Sequence, residues 1–246
     1  MKTSNRILFT SLAVIIVFMT AVAIIFKAKI KEFIIEGDGN VITQEQTFEP
    51  FDKLTIEGGL EVEYIIGESN SLTIEADSNI MQNIETSLIE GTLKIKNNTS
   101  IRKQISCKLT APMVKEITIS AGAELTSKDT IQTGMLNFTV NAGSSFALTG
   151  NFDTLVSAIN AGSKATLIGT CKAMEVSVNA GSKLYAFGLI TDHLIVEANA
   201  GSSALVNSKE LEASASAGSS IRYKEGAILK NIETSAGGSI KSKKGD

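Results

Sequence analysis

The chain has 246 residues, with no tryptophan, three tyrosines, ten phenylalanines, one histidine and two cysteines. Several of the phenylalanines fall in or beside one apolar segment near the N-terminus, which leaves little aromatic bulk for a sugar-stacking groove elsewhere. A single histidine excludes a multi-histidine metal site. A histidine-based triad would depend on His193 alone, and its setting between Asp192 and the strand-like Leu194-Ile195-Val196 reads as a loop-to-strand edge. Cys107 and Cys171 stand 64 positions apart and supply no metal-ligand spacing. They would pair in an oxidising compartment only if folding made them neighbours, and otherwise serve as small hydrophobes in a β core. No serine lies in a nucleophile-elbow sequence, and neither a Walker-type loop nor a dinucleotide fingerprint occurs.

What the chain does have is repetition. An Ala-Gly pair, preceded by Asn or Ser and usually followed by Ser, recurs at Ala121-Gly122, Ala142-Gly143, Ala161-Gly162, Ala180-Gly181, Ala200-Gly201, Ala217-Gly218 and Ala236-Gly237. The intervals of 21, 19, 19, 20, 17 and 19 residues describe one unit stacked on copies of itself. Between the pairs, stretches such as Leu155-Val156-Ser157-Ala158-Ile159 alternate with period two, which is the spacing of a strand. About 19 residues are too few for a strand, a helix and a second strand, but they suit one turn of a β-solenoid. The glycines are then corners rather than a phosphate loop. Gly permits positive φ or close backbone approach, and Ala is expected to keep an inward position small. Asn141, Asn160, Asn179 and Asn199, with Ser120, Ser216 and Ser235 towards the ends, are expected to form a polar ladder from turn to turn.

Before the regular repeats, the segments 54–56, 60–66, 71–75 and 92–96 also alternate, punctuated by Gly58-Gly59, Gly67 and Gly91. Residues 79–86 read as one helical turn or bend. A divergent start suits a solenoid, whose terminal turn must shield an otherwise open stack.

Residues 7–26 are twenty predominantly apolar residues without charge, flanked by Lys2 and Arg6 before and by Lys27, Lys29 and Lys31 after. As a helix this run would span about 30 Å, enough for a bilayer core. Ala21-Val22-Ala23 has the form of a cleavage site, yet Ile24, Ile25 and Phe26 continue the apolar run, so a retained signal anchor is expected over a cleaved signal peptide. The β domain would then lie outside the cytoplasm, on the cell surface or in the periplasm, and would be secreted if the segment were cut. The expected organisation is a short segment 1–6, the anchor 7–26, a linker and first strand 27–49, the solenoid 50–240 and a basic tail 241–246.

After Lys31 the chain carries 18 Lys plus Arg against 26 Asp plus Glu, a net of −8. That balance disfavours nucleic acid as a partner. Carbohydrate-active solenoids need carboxylates converging on one groove. Here Glu124, Asp129, Asp153, Glu175, Asp192, Glu197, Glu212 and Glu225 show no shared register in the repeat, and a solvated face is the expectation.

The Asn-Ala-Gly-Ser units at 141–144, 160–163, 179–182 and 199–202 follow an ordered leading region. It runs through Phe51-Asp52-Lys53-Leu54-Thr55-Ile56, Val62-Glu63-Tyr64-Ile65-Ile66-Gly67, residues 74–80, Ile84-Glu85-Thr86 and Gly91-Thr92-Leu93-Lys94-Ile95. In this combination the chain resembles the putative auto-transporter adhesin, head GIN domain family of Bacteroidetes and related bacteria, over about residues 50–240. The resemblance implies an all-β, right-handed parallel β-helix-like solenoid, here preceded by one transmembrane helix, on an exported or envelope-associated protein. It implies no catalytic residues. No cofactor or metal is expected. The expected function is non-enzymatic adhesion or scaffolding, with an envelope sensor or assembly module as the alternative and a carbohydrate-active enzyme as a third, weaker reading. Expected partners are an envelope protein, a glycan or a matrix ligand, with the bilayer meeting residues 7–26. The outward surface expected to make contact comprises Ser144, Ser163, Lys164, Ser182, Lys183, Ser202 and Ser203.

Overall fold

The computed structural model describes residues 34–101 and 105–244, together with Ile16 and residues 18–20. The contacts divide the chain into two units, one of residues 1–36 and 99–102, the other of residues 37–98 and 103–246. In the first, β1 (Ile34–Ile35) pairs in parallel with β8 (Ser100–Ile101), and Ile16 and residues 18–20 are helical. Among the described residues no helix is long and apolar enough to cross a membrane. Most of the anchor expected at 7–26 lies outside the described residues.

The second unit is a β-solenoid of about seven turns. Its regular part is β11 (Glu124–Val140), β12 (Ser145–Ile159), β13 (Lys164–Val178), β14 (Lys183–Ala198) and β15 (Ser203–Ala215), each paired in parallel with the next. Each strand is one turn with two limbs. The pairing passes over Asp153, Lys172 and Asp192, where the strands bend from the first limb to the second. The last turn is β16 (Ser220–Lys224) and β17 (Ile228–Thr234), both on β15, followed by β18 (Ser239–Lys243) on β16. Lys241 and Lys243, expected in a tail, are therefore strand residues.

The earlier turns are stacked out of chain order. β3 (Lys53–Glu57) lies between β7 (Thr92–Asn97) and β10 (Glu116–Ser120), and β4 (Leu60–Ile66) between β9 (Ile105–Ala111) and the first limb of β11. Antiparallel strands close this end: β6 (Ile84–Ile89) on β7, β5 (Ser71–Asp77) on β9, and β2 (Val41–Thr47) on β5. They occupy the edges that a solenoid's first turn would otherwise leave open. One helical turn, Ser78–Met81, follows β5 and buries Ile80 and Met81. At the opposite end no such cover is found among the described residues, and Ile228, Leu229 and Ile232 of β17 are exposed.

Alternation places every second residue inside, and the inward residues stack in columns through the turns. One column reads Ile95, Ile56, Ile119, Val140, Ile159, Val178, Ala198, Ala215 and Thr234. Another reads Leu136, Leu155, Met174, Leu194, Leu211 and Leu229. Where the columns carry aromatics, Phe138 and Phe146 stack with ring centres 4.5 Å apart. Cys107 and Cys171 are buried free thiols in this core.

Candidate functional site

Two edges run along the regular stack, and they are built differently. At the first, all seven Ala-Gly pairs have both residues at positive φ, for example +54° at Ala161 and +74° at Gly162. Two consecutive left-handed residues, closed by a bond such as Ser182 N–H to Asn179 C=O at 3.3 Å, turn the chain as a type I′ turn does. Gly enters this conformation freely, whereas Ala is disfavoured there by about 1–2 kcal/mol. The stack supplies the compensation. Each corner Gly N–H except that of the last, Gly237, donates to the Ala carbonyl of the following turn, as Gly143 to Ala161 and Gly162 to Ala180, both at 3.0 Å. The Ala side chains point outward and are exposed, not inward as expected, because the left-handed backbone turns Cβ away from the core. A small residue is needed for a different reason, to let neighbouring corners stack one strand spacing apart.

Beside the corners, Asn160 Nδ2 donates to Asn141 Oδ1 at 2.9 Å, Asn179 Nδ2 to Asn160 Oδ1 at 3.0 Å, and Asn199 Nδ2 to Asn179 Oδ1 at 3.2 Å. Ser216 Oγ continues the row by donating to Asn199 Oδ1 at 2.5 Å. Ser120 and Ser235 make main-chain bonds outside this row, Ser120 O accepting from Gly58 and Ala123 N–H and Ser235 N–H donating to Ala215 O. The serines after the corners require a correction. Ser144, Ser163, Ser182 and Ser202 are at most 2% exposed and cannot form part of a contact surface. The tight turn brings the residue after Gly back inside, where Ser163 Oγ donates to Asn160 O at 2.7 Å, Ser202 Oγ donates to Val178 O at 2.7 Å, and Ser182 Oγ accepts from Ser163 N–H at 3.2 Å. Of the expected contact residues, Lys164 and Lys183 are exposed and Ser203 is half-buried, all three on the outer face of the first limb.

The second edge is the bend between limbs. It carries a groove of about 600 Å³ that receives outward residues from successive turns. Asp153, Lys172, Asp192 and Lys209 follow one another along it, with Lys172 Nζ 2.6 Å from Asp153 and Lys209 Nζ 2.7 Å from Asp192. Thr170 Oγ1 donates to Asn151 Oδ1 at 2.7 Å. Asp153 and Asp192 thus share a register two turns apart, contrary to the sequence expectation. The signal was hidden because lysines occupy the turns between them. Next to this row, Glu210 meets both His193 Nδ1 at 3.0 Å and Lys230 Nζ at 3.4 Å; His193, expected at a loop-to-strand edge, is an exposed, paired residue within β14, just after the bend.

The electrostatics are those of paired surface charges. The hydrogen bond from Lys209 holds the Asp192 carboxyl below its ordinary range, and Asp153 raises the Lys172 ammonium. Partial burial pushes the Glu210 carboxyl up, but the bonds from His193 and Lys230 outweigh it and the group is lowered. A general acid needs the opposite shift. Among the described residues no group of three His, Cys, Asp or Glu is placed to hold a metal ion.

Residues 50–227 match the DUF2807 family, described as putative auto-transporter adhesin, head GIN domain. The chain belongs to this family. Solved structures share the fold of the head GIN domain seen here. A putative adhesin from Bacteroides fragilis is 17% identical with a TM-score of 0.76, covering 85% of this chain and 100% of its own. A putative adhesin from Parabacteroides distasonis is 16% identical with a TM-score of 0.69, covering 85% and 100%. A putative lipid binding protein from the same species is 19% identical with a TM-score of 0.66, covering 86% and 100%. No curated protein matches the chain.

Proposed function

We propose that this head GIN domain is a non-enzymatic module for adhesion or scaffolding, held at the extracytoplasmic side of a membrane by residues 7–26. The observation that carries the reading is the regular outer face of the first limbs, where Ser145, Lys164, Lys183, Ser203, Ser220 and Ser239 occupy one column in successive turns. Neighbours in such a column are about 4.8 Å apart on a hydrogen-bonded sheet. A ligand with repeating groups meets them already in place, so weak contacts add without the cost of ordering each one. The family description and the adhesin names of the similar structures support the same reading.

A second reading, an assembly module for one envelope protein, draws support from the last turn, which no described residue covers. Ile228, Leu229 and Ile232 lie together on an open strand edge, a form of surface that another chain can extend. The test uses the full chain in detergent micelles, probed against a glycan array and an envelope extract, beside the variant Lys164→Ala/Lys183→Ala. Glycan or matrix binding lost in the variant is the expected result. One stoichiometric protein captured equally by both forms would replace it with the second reading.

A further inference from the structure

The outer column containing Lys164 and Lys183 continues towards the closed end of the stack. Read turn by turn it is Glu61, Glu124, Ser145, Lys164 and Lys183, each the direct register partner of the next. Two like negative charges, a neutral centre and two like positive charges follow at strand spacing. At several other places opposite signs meet across neighbouring turns, as in Lys53 with Glu116 at 3.4 Å, Lys94 with Glu57 at 2.9 Å, and the Asp153–Lys172 and Asp192–Lys209 pairs, while at the last turn Arg222 faces Lys241 and Lys224 faces Lys243. Here the signs are segregated, and among the described residues none of these four charges has an ion-pair partner within the chain. Stacked like charges on neighbouring strands are unfavourable unless something opposite faces them.

The neighbouring outward column of the same limb is Glu63, Thr126, Ala147, Thr166 and Tyr185. Its centre is small and nearly symmetric, with Ala147 between two threonines. A twofold axis lying along the first limb of β12 would reverse the stacking direction while keeping each column opposite itself. That operation sets Glu124 against the second copy's Lys164, Glu61 against its Lys183, Ser145 against Ser145, and Ala147 against Ala147. A self-complementary patch of this kind is what an isologous dimer requires.

We propose that this face pairs with the same face of a second copy, the two solenoids running in opposite directions. The proposal deepens the reading above, since it rests on Lys164 and Lys183 being a contact surface and names one occupant. The patch is about five turns, roughly 19 Å from Glu61 to Lys183 at 4.8 Å per strand. Such a face is small, and the pairing is electrostatic, salt-sensitive and promoted by confinement to one membrane.

The test places a thiol on the axis. Full-length chain carrying Ser145→Cys, in detergent micelles at low salt, is treated with a short bis-maleimide. Cys107 and Cys171 are buried, so the new thiol is the reactive one. A cross-linked dimer is expected, whereas Ser220→Cys, four turns from the axis and so roughly 38 Å from its counterpart, gives none. Adding Lys164→Glu/Lys183→Glu or Glu61→Lys/Glu124→Lys to Ser145→Cys should lower cross-linking by about tenfold or more, because each faces like charge with like. Mixing those two reversed forms should restore it, as an all-acidic column then meets an all-basic one. Equal cross-linking from Ser145→Cys and Ser220→Cys, or indifference to both reversals, overturns the proposal. If Ser145→Cys stays monomeric while Lys164→Glu/Lys183→Glu loses glycan or envelope-protein binding, self-pairing is overturned and the contact surface stands. Loss of neither property overturns both.

Discussion

The Ala-Gly edge and the bend edge of the solenoid face opposite requirements. At the first, the main chain must adopt the same left-handed pair in every turn, and the residue types that tolerate it repeat accordingly. At the second, only the course of the strand is shared, and the side chains differ from turn to turn: Asp153, Lys172, Asp192, Lys209. Repetition in this chain therefore marks structure. The positions free to vary between turns are those where a partner can be distinguished.

Several substitutions would break or sharpen that contrast. The largest effect is expected at the bend, from Gly169→Ala. Gly169 has φ of +123°, and a Cβ there would run into the carbonyl of Gly150 in the turn before. Thermal unfolding should show a loss of roughly 3 kcal/mol or more, making this bend as demanding of the main chain as any corner. Asn160→Ala removes both the bond to Asn141 and the one from Asn179. A loss of about 1–2 kcal/mol in urea unfolding is expected, and an unchanged midpoint would show that the row is solvated rather than structural.

The buried serines offer a finer comparison within one edge. Ser163→Ala deletes a donor to Asn160 O and should lose about 1 kcal/mol. Ser144 Oγ is buried with no partner among the described residues, so Ser144→Ala should be neutral or slightly stabilising. At the groove, Lys172→Ala should leave the unfolding midpoint unchanged, since its pair with Asp153 is exposed and water screens it. The lowered Asp192 carboxyl gives any contribution of its pair a definite sign. That contribution is present above the ordinary carboxylate pKa of 3.8 and is lost as pH falls through the lower native value, measurable by acid titration of Asp192→Asn against the parent. Cys171 borders the same groove, yet burial pushes its thiol up to about 11. Native protein at pH 8 should accordingly resist iodoacetamide at both cysteines, and unfolded protein should not.

Much of the solenoid was legible because its constraints are local. Two left-handed residues in succession restrict the corner to small types, and period-two alternation marks 54–56, 60–66, 71–75 and 92–96 as strands, all of which are observed within β3, β4, β5 and β7. The stacking order of those strands was not legible. Insertion of the β3–β4 turn between β7 with β9 and β10 with β11 depends on pairings between distant segments, for which alternation gives no address. Serine beside Gly ordinarily reads as an exposed turn residue, and only the sharpness of the turn returns Ser163 and Ser202 to the interior. The groove escaped notice for a third reason. Its residues sit at a bend the pairing passes over, and its charges alternate in sign, so no residue type recurs to draw attention to them.

The inward column that runs from Ile95, Ile56 and Ile119 to Ala198 and Ala215 narrows as the stack proceeds. Seven corners of nearly one sequence would accept a chain that skipped or doubled a turn, but the column would not. A slip by one turn would leave gaps where Ala replaced Val and crowding where Val replaced Ala, each methyl group being felt in a close-packed interior. The taper acts as a coarse set of serial numbers, separating the wide early turns from the narrow late ones in a molecule whose corners are nearly alike.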